Sequence, residues 1–126
     1  MRKGLHKTYR KGQQYPNICQ VILAFLLLPA CHRDKTNSML SDLEKIQNQP
    51  DSVLSSLQQI DTTQLNAGDK ALYFYLYYTS LARQNKLPEN NTSLEKARVY
   101  FEAQNDSSKL CRIYYLKGRI NNQSAR

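Results

Sequence analysis

The stretch Leu72-Tyr73-Phe74-Tyr75-Leu76-Tyr77-Tyr78 is apolar or aromatic on every side, and it limits the chain more than any other feature. A helix of this composition must be covered on more than one side, as the inner helix of a stack is. Tyrosine and phenylalanine also favour strands, so a buried strand is the alternative. The flanking Asp69-Lys70-Ala71 and the continuation Leu81-Ala82-Arg83 lengthen the pattern beyond a typical strand. They favour a helix over about Ala67–Gln84. Its tyrosines could wall an aromatic ligand groove; core packing with hydroxyls at the rim is the simpler use.

Such a helix needs partners, and four further segments have helical spacing. The first spans about Ser38–Gln47, with Met39, Leu43 and Ile46 in step. The second, about Pro50–Ile60, opens on a proline, whose missing N–H costs nothing at a first helical position. It sets Val53, Leu54, Leu57 and Ile60 on one face, and Asp61-Thr62-Thr63-Gln64 follows as a polar connection. The fourth, about Ser93–Gln104, presents Leu94, Ala97, Tyr100 and Phe101. Thr92-Ser93-Leu94-Glu95 before it has the spacing of a capping box. Asn105-Asp106-Ser107 breaks the pattern and can cap a fifth helix, about Ser108–Asn121, with Leu110, Ile113, Tyr114 and Leu116. The expected fold is all-α, built of antiparallel helix pairs over residues 38–121, with a polar tail at 122–126.

The charge of the chain is misleading until it is divided. Eighteen basic and ten acidic residues give +8, which by itself suggests nucleic acid. Arg2, Lys3, Lys7, Arg10 and Lys11 fall within residues 1–30, which hold no acid, and the remainder carries only +3. After the basic residues comes the apolar run Ile18–Leu28 and then Pro29-Ala30-Cys31. This order is that of a secretory signal peptide over residues 1–30. The run is short of the roughly 20 apolar residues that a membrane-spanning helix needs. No nucleic-acid partner is expected.

Leu28-Pro29-Ala30-Cys31 resembles the lipobox of bacterial lipoproteins. The resemblance implies cleavage between Ala30 and Cys31 and acylation of Cys31 by diacylglycerol, with palmitate-type chains. The protein would then be held on a membrane of the bacterial cell envelope, with 31–37 as its tether. An ordinary signal peptide cut after Ala30 would leave Cys31 a free thiol. Cys19 is lost with the signal in either case. With Cys31 acylated, Cys111 is left alone and reads as a small buried hydrophobe. One cysteine and His32, the only histidine after the signal, cannot form a zinc site.

The helices repeat. Leu54, Leu57 and Ile60 fall on Leu94, Ala97 and Tyr100 at an offset of 40, and Tyr73-Phe74 matches Tyr114-Tyr115 at a similar one. Paired helices at such a period are the mark of an α-solenoid. Ala97 and Phe101 are similar to the small-then-aromatic pair of a tetratricopeptide repeat's second helix, and Tyr114 and Gly118 to the aromatic and small positions of its first. Together with Pro50-Asp51-Ser52-Val53-Leu54, Asp69-Lys70-Ala71-Leu72-Tyr73 and Tyr114-Tyr115-Leu116-Lys117-Gly118-Arg119-Ile120, these residues resemble the N-terminal part of a bacterial family of tetratricopeptide-repeat (TPR-like) lipoproteins. The likeness spans about residues 38–120. Lys117 and Asn121 stand where the repeat carries an apolar and an aromatic residue. In that family the repeats continue, and some members add a signalling or DNA-binding module.

Catalysis is not expected. No phosphate-binding glycine loop is present, and no serine, histidine and acid can form a triad. Asp42, Glu44, Glu95 and Glu102 read as solvated helix positions, with Glu95 and Arg98 forming an (i, i+3) pair. Lys109, Arg112, Lys117 and Arg119 form a basic cluster on the fifth helix, read as a solvated face, with an anion or headgroup site as the alternative. No cofactor is implied. The expected function is a membrane-tethered scaffold binding a protein or peptide partner. The alternative is the sensory part of a signal-transduction or transcription regulator, and a small-ligand carrier is a third class. Two repeats and one extra helix fall short of the usual three, so truncation, or completion by a partner, is expected. The fifth helix should then fray from about Ser107, with Ile113, Tyr114 and Leu116 wet.

Overall fold

The computed structural model describes residues 35–126. Among them are five helices and no strand: α1 (35–45), α2 (Pro50–Leu57), α3 (Ala67–Arg83), α4 (Thr92–Ala103) and α5 (Ser107–Ser124). A 3-10 turn at Thr62–Gln64 interrupts the polar connection, where the Asp61 carboxylate accepts from the Thr63 N–H at 2.9 Å. The class is all-α, and the strand alternative for 72–78 falls. The boundaries need correction at both ends. Residues 35–37, assigned to the tether, are already helical. Helix α5 continues through Ser124, into the segment expected to be a tail. Buried Ile120 holds the preceding turn in place, and the polar residues beyond it extend the helix in solvent.

Consecutive helices from α2 onward run antiparallel, as the contacts between their ends show. Gln84, after α3, donates to Asp51 at the start of α2 at 2.5 Å. Gly68, in the first turn of α3, lies against the hydroxyl of Tyr100, late in α4. Lys117, late in α5, reaches Glu95, early in α4, at 2.6 Å. Helix α5 therefore returns parallel to α3 and touches both α3 and α4.

The turns that reverse the chain share one device. Helices α3 and α4 each end in Gln-Asn, and Asn85 and Asn105 adopt left-handed φ values of 57° and 55°. After α3, the Lys86 N–H bonds the Leu81 carbonyl at 2.9 Å and the Asn85 N–H bonds Ala82 at 3.2 Å. After α4, Asp106 bonds Phe101 at 3.0 Å and Asn105 bonds Glu102 at 3.1 Å. Both are Schellman closures, with asparagine in the place that glycine usually takes. At the opposite end of α3, the Asn66 side chain accepts from the Asp69 N–H and donates to its carboxylate, each at 2.8 Å. The capping box expected at Thr92–Glu95 does not form. Instead Asn90 Oδ1 accepts from the Thr92 N–H and hydroxyl, and Glu95 is committed elsewhere.

One apolar core joins the helices. Leu40 and Leu43 enter from α1, Val53 and Leu57 from α2, Leu94, Ala97 and Phe101 from α4. Helix α3 lies at the centre, in contact with α2, α4 and α5. Its Tyr75, Leu76 and Tyr78 are buried, and Leu72, Tyr73, Phe74 and Tyr77 are half-buried around them. The tyrosines are packing residues: Tyr73 stacks on Tyr77, and the Tyr78 hydroxyl donates to the Asn90 carbonyl at 2.9 Å.

The expectation that α5 lies open is wrong for its apolar residues. Ile113 is 0% exposed, and Leu116 and Ile120 are also buried. These three positions fall on one side of the helix and make a seam against α3 and α4. Tyr114 does face solvent, together with Tyr115, at 51% and 56% exposure. Cys111 is exposed as well, not the buried hydrophobe expected, because the seam passes on the other side of the helix.

Candidate functional site

Ala30, Cys31 and His32, with the whole of the signal segment, lie outside the described residues. The chemistry of the described part is concentrated on α5 and its neighbours.

Helix α5 starts at Asp106, whose carboxylate caps the Lys109 N–H at 3.1 Å. That N–H is the main reason its pKa lies below the ordinary aspartate value, with the Lys109 ammonium adding to it. The Lys109 ammonium bridges Glu44 of α1 at 2.8 Å and Asp106 at 3.1 Å, over the rings of Tyr75 and Phe101. Burial lowers the Lys109 pKa, but the two carboxylates together hold it above the usual lysine value. Burial raises the phenol of Tyr75, against the pull of Arg112 and Lys109.

Further along, Lys117 and Arg98 both donate to Glu95, each at 2.6 Å, and lower its pKa in that order of effect. Arg98 also pairs with Glu102, which accepts from the Tyr114 hydroxyl at 2.8 Å. Tyr114 first, then Arg98, lowers the Glu102 pKa. Glu95 and Arg98 thus form the pair expected from the sequence, within a larger network that ties α4 to α5. Two of the four basic residues grouped on α5, Lys109 and Lys117, are therefore neutralised by acids of other helices. They are not a free basic face.

The other two behave differently. Arg112 and Arg119, seven residues apart, share a side of α5 and meet Arg83, from the last turn of α3. With Thr79, Ala82, Tyr115 and Leu116 they line an open cleft of about 210 Å³. Thr79, Ala82 and Leu116 are its buried members. Arg119 donates to the Ala82 carbonyl at 3.0 Å and to Asn85 Oδ1 at 2.9 Å, and its guanidinium lies 5.9 Å from the Tyr115 ring centroid. Both of those acceptors are neutral. Among the described residues no carboxylate lines the cleft.

Sequence reasoning placed Arg112 and Arg119 together but had no means of adding Arg83. That requires α3 and α5 to run parallel. Gly118 stands at the small position of the repeat, where a neighbouring helix would come close, yet a Cβ there would meet nothing within 4 Å. The close approach is at Gly68, where a Cβ would stand 2.7 Å from the Tyr100 hydroxyl. Among the described residues no group of three or more His, Cys, Asp and Glu could hold a metal ion, and no helix is long and apolar enough to cross a membrane. No protein-family model, curated protein or solved structure matches the chain.

Proposed function

We propose that this chain is a membrane-tethered lipoprotein of the bacterial cell envelope, anchored through acylated Cys31, whose TPR-like helical array binds a protein or peptide partner and performs no catalysis. The observation that carries this reading is the outward side of α5. Tyr114 and Tyr115 are half exposed on a helix whose other side is a buried seam. Tyrosine, with apolar area and a polar tip, is among the residues enriched in binding interfaces. The alternation of antiparallel helices and the burial of Ala97 beside Phe101 support a repeat-type array. The lipobox-like Leu28–Cys31 supports the anchor.

Two measurements test the two halves. Cys31→Ser should abolish labelling by an alkyne fatty-acid analogue and release the protein from the membrane fraction; labelling that persists overturns the anchor. A photo-crosslinking residue at Tyr115 should give a discrete protein adduct in cells, weaker or absent when it is moved to exposed Asp42 on α1. Equal or absent adducts at both positions overturn the scaffold reading.

A further inference from the structure

We infer that the cleft between α3 and α5 is a binding site for a phosphate monoester. Four observations lead there, none of which depends on the scaffold reading.

The first is uncompensated charge. Lys109 and Lys117, on the same helix, are each matched to a carboxylate, but Arg83 and Arg112 make no hydrogen bond or ion pair among the described residues, and Arg119 is spent on neutral acceptors. Three guanidiniums from two helices thus line one cleft without an acid. Guanidinium is charged at every accessible pH, and its planar fork matches phosphate oxygens in pairs.

The second is Thr79. Its side chain, 1% exposed, belongs to the cleft lining, and its hydroxyl has no hydrogen-bond partner among the described residues. Buried hydroxyls nearly always have one. The wall of the cleft that Thr79 belongs to thus holds an unspent polar atom just below its surface.

The third is the state of the α3 carboxyl end, the one local feature that would repel an anion. Its Ala82 carbonyl already accepts from the Asn85 N–H and from Arg119, and Leu81 accepts from Lys86. Those two carbonyls are therefore occupied.

The fourth is shape. The cleft is open on one side, and the Tyr115 ring stands beside Arg119. A phosphate can seat among the arginines while the organic group it carries lies along the ring. A monoester carries close to two negative charges at neutral pH and three terminal oxygens. It answers three cations better than a carboxylate with one charge and two oxygens.

The test uses the full chain in non-ionic detergent and phenyl phosphate as the probe. Titration should give saturable NMR shifts at the Arg83 and Arg112 side chains and at the Tyr115 ring. Arg83→Gln with Arg112→Gln alters two exposed residues and should leave the circular dichroism unchanged. It should weaken binding about tenfold or more, the effect expected for losing charge-assisted hydrogen bonds. Lys96→Gln, which removes an exposed charge on α4, should leave the affinity unchanged. Absence of saturation, an equal loss in Lys96→Gln, or benzoate binding as tightly as phenyl phosphate would each overturn the assignment. Repeating the measurement in phosphatidylcholine nanodiscs identifies the source of the group. Shifts on adding phosphatidic acid but not phosphatidylglycerol assign a lipid headgroup, and phenyl phosphate shifts unaffected by either lipid assign a soluble monoester.

Discussion

Helices α3 and α5 are nearly equal in length, 17 and 18 residues, but they are held in the protein by different means. Helix α3 is covered by α2, α4 and α5 and is fixed by burial on most of its circumference. Helix α5 has a single buried seam, Ile113, Leu116 and Ile120, and supplements it with charged contacts: Lys109 to Glu44 and Asp106, Lys117 to Glu95, Arg119 to Ala82 and Asn85. The first arrangement leaves only the last turns of α3, Thr79, Ala82 and Arg83, to line a cleft. The second leaves an aromatic pair and an arginine cleft exposed on a helix that is still anchored.

The sharpest test of that difference is a cavity in each helix. Leu76→Ala in α3 and Ile113→Ala in α5 both delete a fully buried side chain. Each should cost about 2–5 kcal/mol in chemical denaturation of the full chain. Hydrogen exchange should separate them. Leu76→Ala should lower protection across all the helices, whereas Ile113→Ala should lower it first in α5, whose outer side no other described helix covers. If Ile113→Ala costs under about 1 kcal/mol, α5 is not part of the cooperative core.

How much of this was legible in the sequence follows from the same contrast. The all-round aromatic run announced α3, its centrality and its need for neighbours. Pro50 and Asp106 announced the starts of α2 and α5, because their chemistry acts on the adjacent turn. The fate of Ile113 and Leu116 was misread, since the two sit beside Tyr114 and Tyr115 and the run looks uniformly apolar. Only the parallel return of α5 beside α3 decides which of the four face inward. The same packing creates the arginine cleft, so no local pattern could have revealed it. Gly118 was misread for a related reason: a small residue at a repeat position implies close approach only if a neighbour lies on that side.

A second test removes the charged contacts and leaves the seam. The pKa values of Asp106, Glu95 and Glu102 all lie below the ordinary carboxylate values, through hydrogen bonds to α5 or to Arg98. A carboxylate whose folded value is lowered contributes stability in full above its unfolded value, and loses it as the pH falls through the folded one. Acidification should therefore loosen α5 before α3, seen as earlier loss of amide protection at 107–124. Asp106→Ala should cost about 1 kcal/mol at neutral pH, as loss of a helix cap does. That cost should shrink as the wild-type carboxyl is protonated. A penalty independent of pH would mean that the cap and the Lys109 bridge contribute nothing through charge. At the alkaline end, the raised Lys109 value means that its contribution is complete below the ordinary lysine pKa and lost as the pH rises through the folded one.

The smallest effect compares the two helices at their glycines. Neither glycine has a positive φ, so neither backbone requires the residue. Gly118 lies within α5 with open space around it, and Gly118→Ala should stabilise the protein by roughly 0.5–1 kcal/mol by restricting the unfolded chain and improving helix propensity. Gly68 lies in the first turn of α3, against the hydroxyl of half-buried Tyr100. A methyl group there must displace that ring from α3, and the move cancels part or all of the same gain. Thermal melts of the two variants should therefore place Gly118→Ala above wild type and Gly68→Ala below Gly118→Ala. The reverse order would mean that the outer side of α5 is as tightly packed as the start of α3, and that the difference between the two helices is not one of coverage.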